Sequence, residues 1–283
     1  MNAISLFLRD IRIEHTLFAL PFAYVGAVMA AHGMPSLHAL VWITLAVFGA
    51  RTAAMATNRY LDRDLDRINP RTADRPTASG RLPSWVMIAA TIAGLALLVL
   101  SAVMLNPLCV KLLPLAAIGI VVYPLCKRFT WAVHFVLGAI DALAPLGAFI
   151  AITGTVTVPA LLLFVAVTVW VAGFDILYAL MDYDIDVQYG LHSIPARFGR
   201  SGTHRLPLVL HAIMAIALGF AGFLSHAGAS YAIGVVLAVA LVVYEDRLIA
   251  AAKNVFVLND RVFVTNMAFS VVFLVTTVAA YGP

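Results

Sequence analysis

Near the end of one apolar stretch, Asn58-Arg59-Tyr60-Leu61-Asp62-Arg63-Asp64-Leu65-Asp66 places three aspartates at alternate positions. Adding 120 to each number brings Asp62, Asp64 and Asp66 onto Asp182, Asp184 and Asp186, in Tyr178-Ala179-Leu180-Met181-Asp182-Tyr183-Asp184-Ile185-Asp186. On a helix, positions i, i+4 and i+8 share a face. Asn58, Asp62 and Asp66 then form one oxygen-bearing stripe. Tyr178, Asp182 and Asp186 form another, which Asp175 extends one turn further back. Two like charges about 4 Å apart repel by roughly 4 kcal/mol at an effective dielectric near 20, so stripes that meet require a cation. Hard oxygen donors beside phosphate suit Mg²⁺. Asp64 and Asp184 point away from their stripes and are expected in loop salt bridges.

Fixed positive charge surrounds these acids. Arg59, Arg63 and Arg67 repeat at every fourth position on a neighbouring face, and Arg71, Arg75 and Arg81 follow in the next loop. Metal-binding carboxylates beside arginines are the arrangement a diphosphate calls for, because Arg and Lys take the phosphate oxygens that the metal leaves. For Arg59, Arg67 and Arg81 a second reading stands beside it: neutralising the aspartates and anchoring the loop at anionic headgroups.

The elements that carry these motifs belong in a membrane. The chain has 283 residues, 63% hydrophobic and 11% charged, with a mean hydropathy of +0.99. Soluble domains carry about 25% charged residues. Apolar stretches of spanning length run roughly over 16–33, 37–59, 84–105, 108–126, 130–153, 157–180, 205–225, 228–249 and 261–281. All Lys and Arg except Arg51 and Lys111 fall at one side of that pattern, which predicts a cytoplasmic N-terminus and cytoplasmic acidic motifs. Met1 to His15 is expected to be a cytoplasmic arm or interfacial helix, not a signal peptide. Cys109 and Cys126 sit at opposite ends of one span, roughly 25 Å apart, and are expected to be free packing residues.

Around the first acid stripe, Arg71-Thr72-Ala73-Asp74-Arg75-Pro76 and Ser79-Gly80-Arg81 follow. Around the second, Asp175 precedes and Gly190, Ser193-Ile194-Pro195 and Phe198-Gly199 follow. Tyr123-Pro124-Leu125-Cys126-Lys127-Arg128-Phe129-Thr130 lies between them. This set resembles the signatures of the membrane-embedded aromatic (UbiA-type) prenyltransferases over nearly the whole chain. The resemblance implies one domain over 1–283, with pseudo-repeat halves at about 1–125 and 126–250 and a ninth helix beyond. It implies an all-α membrane fold of nine helices in a ring around a central cavity, capped by two long cytoplasmic loops. Asn58, Asp62, Asp66, Asp182 and Asp186 would hold Mg²⁺, the four aspartates being catalytic. Arg63, Arg71, Lys127 and Arg128 would take the departing diphosphate. The implied reaction moves a polyprenyl group from its diphosphate to an aromatic quinone precursor. The opening Glu14-His15-Thr16-Leu17-Phe18-Ala19-Leu20-Pro21 points to 4-hydroxybenzoate, with a dihydroxynaphthoate as the alternative acceptor. The expected partners are the diphosphate, the aromatic acid and the bilayer of the inner cell membrane, and no nucleic acid.

Other residues keep two readings each. Arg51 lies seven before Asn58, on the same face and about 10 Å deeper. It either holds the acceptor's carboxylate or pairs with a buried acid such as Asp141. Asp141 either lines the acceptor cavity or is a carboxyl bonded to a neighbouring helix. His15 serves the acceptor, the diphosphate or a helix end; Asp175 and Tyr178 face the acceptor or belong to the metal stripe. His192 replaces a lysine frequent in the family. His32, His38, His134, His204, His211 and His226 lack metal spacing. A secondary transporter also fits a repeat with buried charges, but its site would lie near the midplane rather than at the helix ends.

Overall fold

The structure is a computed structural model and describes residues 2–13, 16–203, 205–250 and 259–282. Among the described residues there are helices and turns but no strand. A short α1 (Ala3–Asp10) precedes α2 (Thr16–Ala31), α3 (Leu37–Leu61), α4 (Arg63–Ile68), α5 (Ser84–Leu105), α6 (Pro107–Cys126), α7 (Val133–Thr153) and α8 (Val158–Ala179). After them come α9 (Tyr183–Gln188), α10 (Ile194–Thr203), α11 (Arg205–Leu224), α12 (Ala229–Ala250) and α13 (Asn259–Tyr281). Eight of these, α3, α5, α6, α7, α8, α11, α12 and α13, contain segments long and apolar enough to cross a bilayer. The first predicted span is shorter than expected. Its 16 residues extend about 24 Å, less than a typical hydrocarbon core of about 30 Å.

The bland turns between spans are helix caps. Ser36 accepts from the Ala39 N–H at 3.2 Å, and Asn106 accepts from Cys109 at 3.0 Å just before Pro107. Gly154, at φ 66°, ends α7 in the left-handed conformation that glycine adopts without penalty. Each cap satisfies backbone groups that lipid cannot.

Neighbours along the chain pack side by side: α3 against α5 and α6, α6 against α7, α7 against α8, α8 against α11, then α12 and α13. Helix α2 touches α3, α7 and α13 together. Small residues set two of these approaches. A Cβ on Gly94 would stand 2.6 Å from the Gly49 carbonyl oxygen, and one on Gly49 would stand 2.7 Å from that of Gly94. At Gly138 of α7 a Cβ would meet the Thr168 carbonyl oxygen of α8 at 2.2 Å. In lipid, where apolar burial no longer drives helices together, such close backbone packing does. The largest core side chain, Trp170, packs tilted against Phe22 and edge-to-face with Phe174 and Phe269 and donates its indole N–H to Asn266 at 3.0 Å.

Candidate functional site

Both acidic motifs interrupt their helices at the same place. Helix α3 stops at Leu61, Asp62 adopts φ −98° and ψ 5°, and α4 restarts at Arg63. Helix α8 stops at Ala179, a 3₁₀ turn covers Leu180–Asp182, and Asp182 adopts φ −97° and ψ 2° before α9. The unbroken stripes expected from helical spacing are therefore corrected: each motif is a helix, a break and a new helix. The repeat in sequence is a repeat in backbone conformation.

The break frees carbonyls and aims side chains inward. Asn58 donates to Asp62 Oδ2 at 2.9 Å and receives the Arg59 guanidinium at 2.6 Å. Arg59 itself is buried, donating to the Asp10 carbonyl at 2.8 Å. Asp10 also accepts from the backbone and hydroxyl of Thr77 at 2.9 and 2.6 Å. Arg59 thus ties α1 and the loop after α4 to the end of α3, with Asp10 as its acid partner, while also bordering the large cavity of the site.

Each of the four catalytic candidates meets a cation. Arg71, from the loop after the first motif, reaches across to the second and grips Asp182 at 2.9 and 2.6 Å. Asn69 adds a third bond to Asp182 at 2.9 Å. Arg75 Nη1 donates to both oxygens of Asp66 at 2.8 Å. Lys127 Nζ stands 2.7 Å from Asp186, and Arg128 stands 3.6 Å from Asp62 while donating to the Leu61 carbonyl at 2.8 Å. Burial, and next the Asp66 charge, push the Asp62 carboxyl up to about 6, with Arg128 and Lys127 opposing.

Most of these groups border a cavity of about 610 Å³, whose walls include Asn58, Asp62, Asp66, Arg71, Lys127 and Asp182. Deeper, Arg51, Asp141, Asp175 and Tyr178 line the same space. A second cavity of about 180 Å³, walled mainly by Ala, Leu and Ile, shares Arg51, Ala54, Ile120, Ile140 and Asp141 with the first. At the shared wall Arg51 Nη1 pairs with Asp141 Oδ1 at 3.2 Å.

Some expectations fall elsewhere. Arg63 does not border the cavity: it donates to the Tyr60 carbonyl at 2.8 Å, lies 4.8 Å over the Tyr60 ring and pairs with Asp64 at 3.6 Å. The end of α3 at Leu61 exposes that carbonyl and turns position 63 away from the stripe. Arg128 and Asp186 stand behind the lining, joined to it through Asp62 and Lys127. Asp184 pairs with Arg200 at 2.9 Å in an exposed bridge, and both cysteines are free. His15 lies outside the described residues.

One residue was missed. His134, set aside for lacking metal spacing, is buried with Nδ1 2.6 Å from Asp175 Oδ2, and it borders the large cavity. No sequence spacing links positions 134 and 175; only the packing of α7 on α8 brings them together.

Among the described residues no three His, Cys, Asp or Glu side chains gather closely enough to cage an ion by themselves. The donors do suit an ion that arrives with phosphate, since Mg²⁺ usually takes one or two carboxylates and completes its shell with phosphate and water. Asp186 supports that fit: its carboxylate is buried, Oδ1 meets only Lys127 Nζ at 2.7 Å, and Oδ2 has neither a hydrogen bond nor an ion pair among the described residues.

The UbiA prenyltransferase family matches this sequence over residues 19–256. The chain belongs to that family. The 4-hydroxybenzoate octaprenyltransferase of Shewanella pealeana is 32% identical over 257 residues, covering 88% of this chain and 87% of that protein. The enzyme so named from Marinobacter nauticus is 35% identical over 245 residues, 85% and 83% of the two chains. Among solved structures, the apo UbiA homologue from Aeropyrum pernix K1 superposes with a TM-score of 0.84 at 32% identity, over 94% of this chain and 98% of that one. A UbiA homologue from Archaeoglobus fulgidus bound to GPP and Mg²⁺ shares the fold, with a TM-score of 0.70, 22% identity and 98% and 99% coverage. The protein is a prenyltransferase and a multi-pass membrane protein. Family membership decides for the enzyme over the transporter.

Proposed function

We propose that this UbiA-family prenyltransferase transfers a polyprenyl group from polyprenyl diphosphate to 4-hydroxybenzoate, with Mg²⁺ as cofactor. The observation that carries it is the crossing of the two motifs over one cavity, where Asp62, Asp66 and Asp182 with Arg71, Arg75 and Lys127 face a space that shares a wall with an apolar one. The names of its relatives support the acceptor. The chain forms one domain of two related halves with nine spans in a ring around the cavity, and the motifs face the cytoplasm of the inner membrane.

Asn58, Asp62, Asp66, Asp182 and Asp186 would hold Mg²⁺. When bound, Mg²⁺ supplies positive charge where the departing diphosphate gains negative charge. Arg71 and Lys127 exchange their carboxylate partners for phosphate oxygens. Arg128 adds charge from behind Asp62, and Arg63 adds its charge from outside the cavity lining. The guanidinium fork of Arg71 fits two phosphate oxygens as it fits two carboxylate oxygens. As the allylic C–O bond breaks, the prenyl carbon becomes cation-like and the electron-rich ring carbon of the phenol attacks it. The apolar cavity keeps water from that carbon, which would otherwise become an alcohol. Arg51, Asp141, Asp175 and Tyr178 form the acceptor side, and His15 is assigned to the acceptor from the sequence alone. With Arg51 already neutralised by Asp141, an acceptor carboxylate would compete with Asp141 for the guanidinium.

Mass spectrometry of products from detergent-purified protein tests this assignment. With Mg²⁺, a polyprenyl diphosphate and a mixture of 4-hydroxybenzoate and dihydroxynaphthoates, prenylated 4-hydroxybenzoate is the expected product. A prenylated naphthoate alone would replace the acceptor, and unconsumed diphosphate with every acceptor would overturn the reaction.

A further inference from the structure

The His134–Asp175 pair is fixed at both ends. The backbone N–H of Ile194 donates to His134 Nε2 at 3.2 Å. That nitrogen therefore accepts, and the ring proton belongs on Nδ1, from which it is donated to Asp175 Oδ2 at 2.6 Å. His134 is buried at 2% exposure, whereas the Asp175 side chain is 27% exposed and borders the large cavity. Among the described residues Oδ1 of Asp175 has no hydrogen bond. One oxygen is held by a neutral imidazole while the other remains open for a proton.

We propose that Asp175 accepts the phenolic proton of the aromatic acceptor and that His134 is the positioning residue that keeps this carboxylate aimed. The inference rests on the phenolic acceptor assigned above. The phenol O–H breaks, its electron pair stays on oxygen, and a new O–H forms on Asp175. The ring carbon then bonds to the prenyl carbon as the C–O bond to diphosphate breaks. The dienone left behind loses its ring proton to the departing diphosphate, and Asp175 returns the phenolic proton to oxygen. A base held by a partner in this way raises nucleophilicity at the moment of attack. The Ile194 contact adds a further role: the cap segment that follows the second acidic motif sets the imidazole's tautomer.

The test compares wild type, His134→Leu, His134→Gln and Asp175→Asn with 4-hydroxybenzoate and with a ring-fluorinated analogue whose phenol ionises more readily. Folding is followed by size-exclusion chromatography in detergent. Asp175→Asn is expected to lower kcat on 4-hydroxybenzoate by about 100-fold or more. His134→Leu is expected to lower it by about 10- to 100-fold, the range for lost outer-shell partners. KM for the diphosphate should stay within about twofold, because neither residue touches it. Glutamine can donate through its amide nitrogen and accept through its oxygen, so His134→Gln should retain activity within about threefold. With the more acidic phenol the variant losses should shrink, because less of the barrier then depends on a base. Equal losses on both acceptors, or His134→Gln falling as far as His134→Leu, would overturn the inference and leave a structural role. A wild type that prenylates neither phenol would overturn the acceptor assignment and the inference with it.

Discussion

Arg71 belongs to the loop behind the first acidic motif, yet its guanidinium closes a two-pronged ion pair on Asp182 of the second, at 2.9 and 2.6 Å. The halves of the repeat are thus joined by the kind of contact that a diphosphate would reproduce. Arg71→Lys keeps the charge but loses the fork. We expect it to raise KM for prenyl diphosphate about tenfold or more while the folded fraction stays unchanged. Steady-state kinetics decide, and an unaltered KM would remove Arg71 from the diphosphate site.

Asp186 is wholly buried and its cation is Lys127. Removing one partner of such a pair leaves an uncompensated charge, costing about 3–5 kcal/mol. Lys127→Met should therefore lower the thermal midpoint in detergent, and Lys127→Met with Asp186→Asn should recover most of the loss. A double variant no more stable than the single one would show that the pair is not coupled.

The raised Asp62 carboxyl has a pH signature. A raised acid favours the folded protein in its protonated form, so this stabilisation is full below the ordinary value of 3.8 and is lost as pH rises through about 6. In metal-free protein, Asp62→Asn should flatten that part of the melting profile. An unchanged slope between those pH values would count against a buried Asp62.

Gly49 and Gly94 let α3 and α5 touch backbone to backbone. Gly94→Val should destabilise the protein by about 1–3 kcal/mol, read as a lower thermal midpoint in detergent. Since α3 carries Asn58, activity should fall as well. A variant as stable as wild type would mean that the helices separate at no cost.

Much of this architecture was legible because it depends on local chemistry. Runs of apolar residues, Ser36, Asn106 and Gly154 at the turns, and basic residues concentrated on one side of the span pattern each specify a helix, a cap or a loop by themselves. The acid repeat likewise stood out as two nine-residue patterns. Where sequence reasoning failed, position depended on contacts made far along the chain. The break at Asp62 and Asp182 turned Arg63 from the cavity, although helical spacing placed it beside the stripe. For Arg51, two partners were open, and the packing of α7 beside α3 supplied Asp141. The link between His134 and Asp175 spans 41 residues and exists only because Gly138 lets α7 lie against α8.

Metal dependence joins the two motifs most directly. Product formation should be measured by mass spectrometry for wild type, Asp62→Asn and Asp182→Asn, each with Mg²⁺ and then with EDTA. The expected result is prenylated 4-hydroxybenzoate from the wild type only with Mg²⁺, and turnover at least about 100-fold lower in each variant. Turnover that ignores EDTA, or near-normal product from either variant, would contradict a shared site for metal and diphosphate.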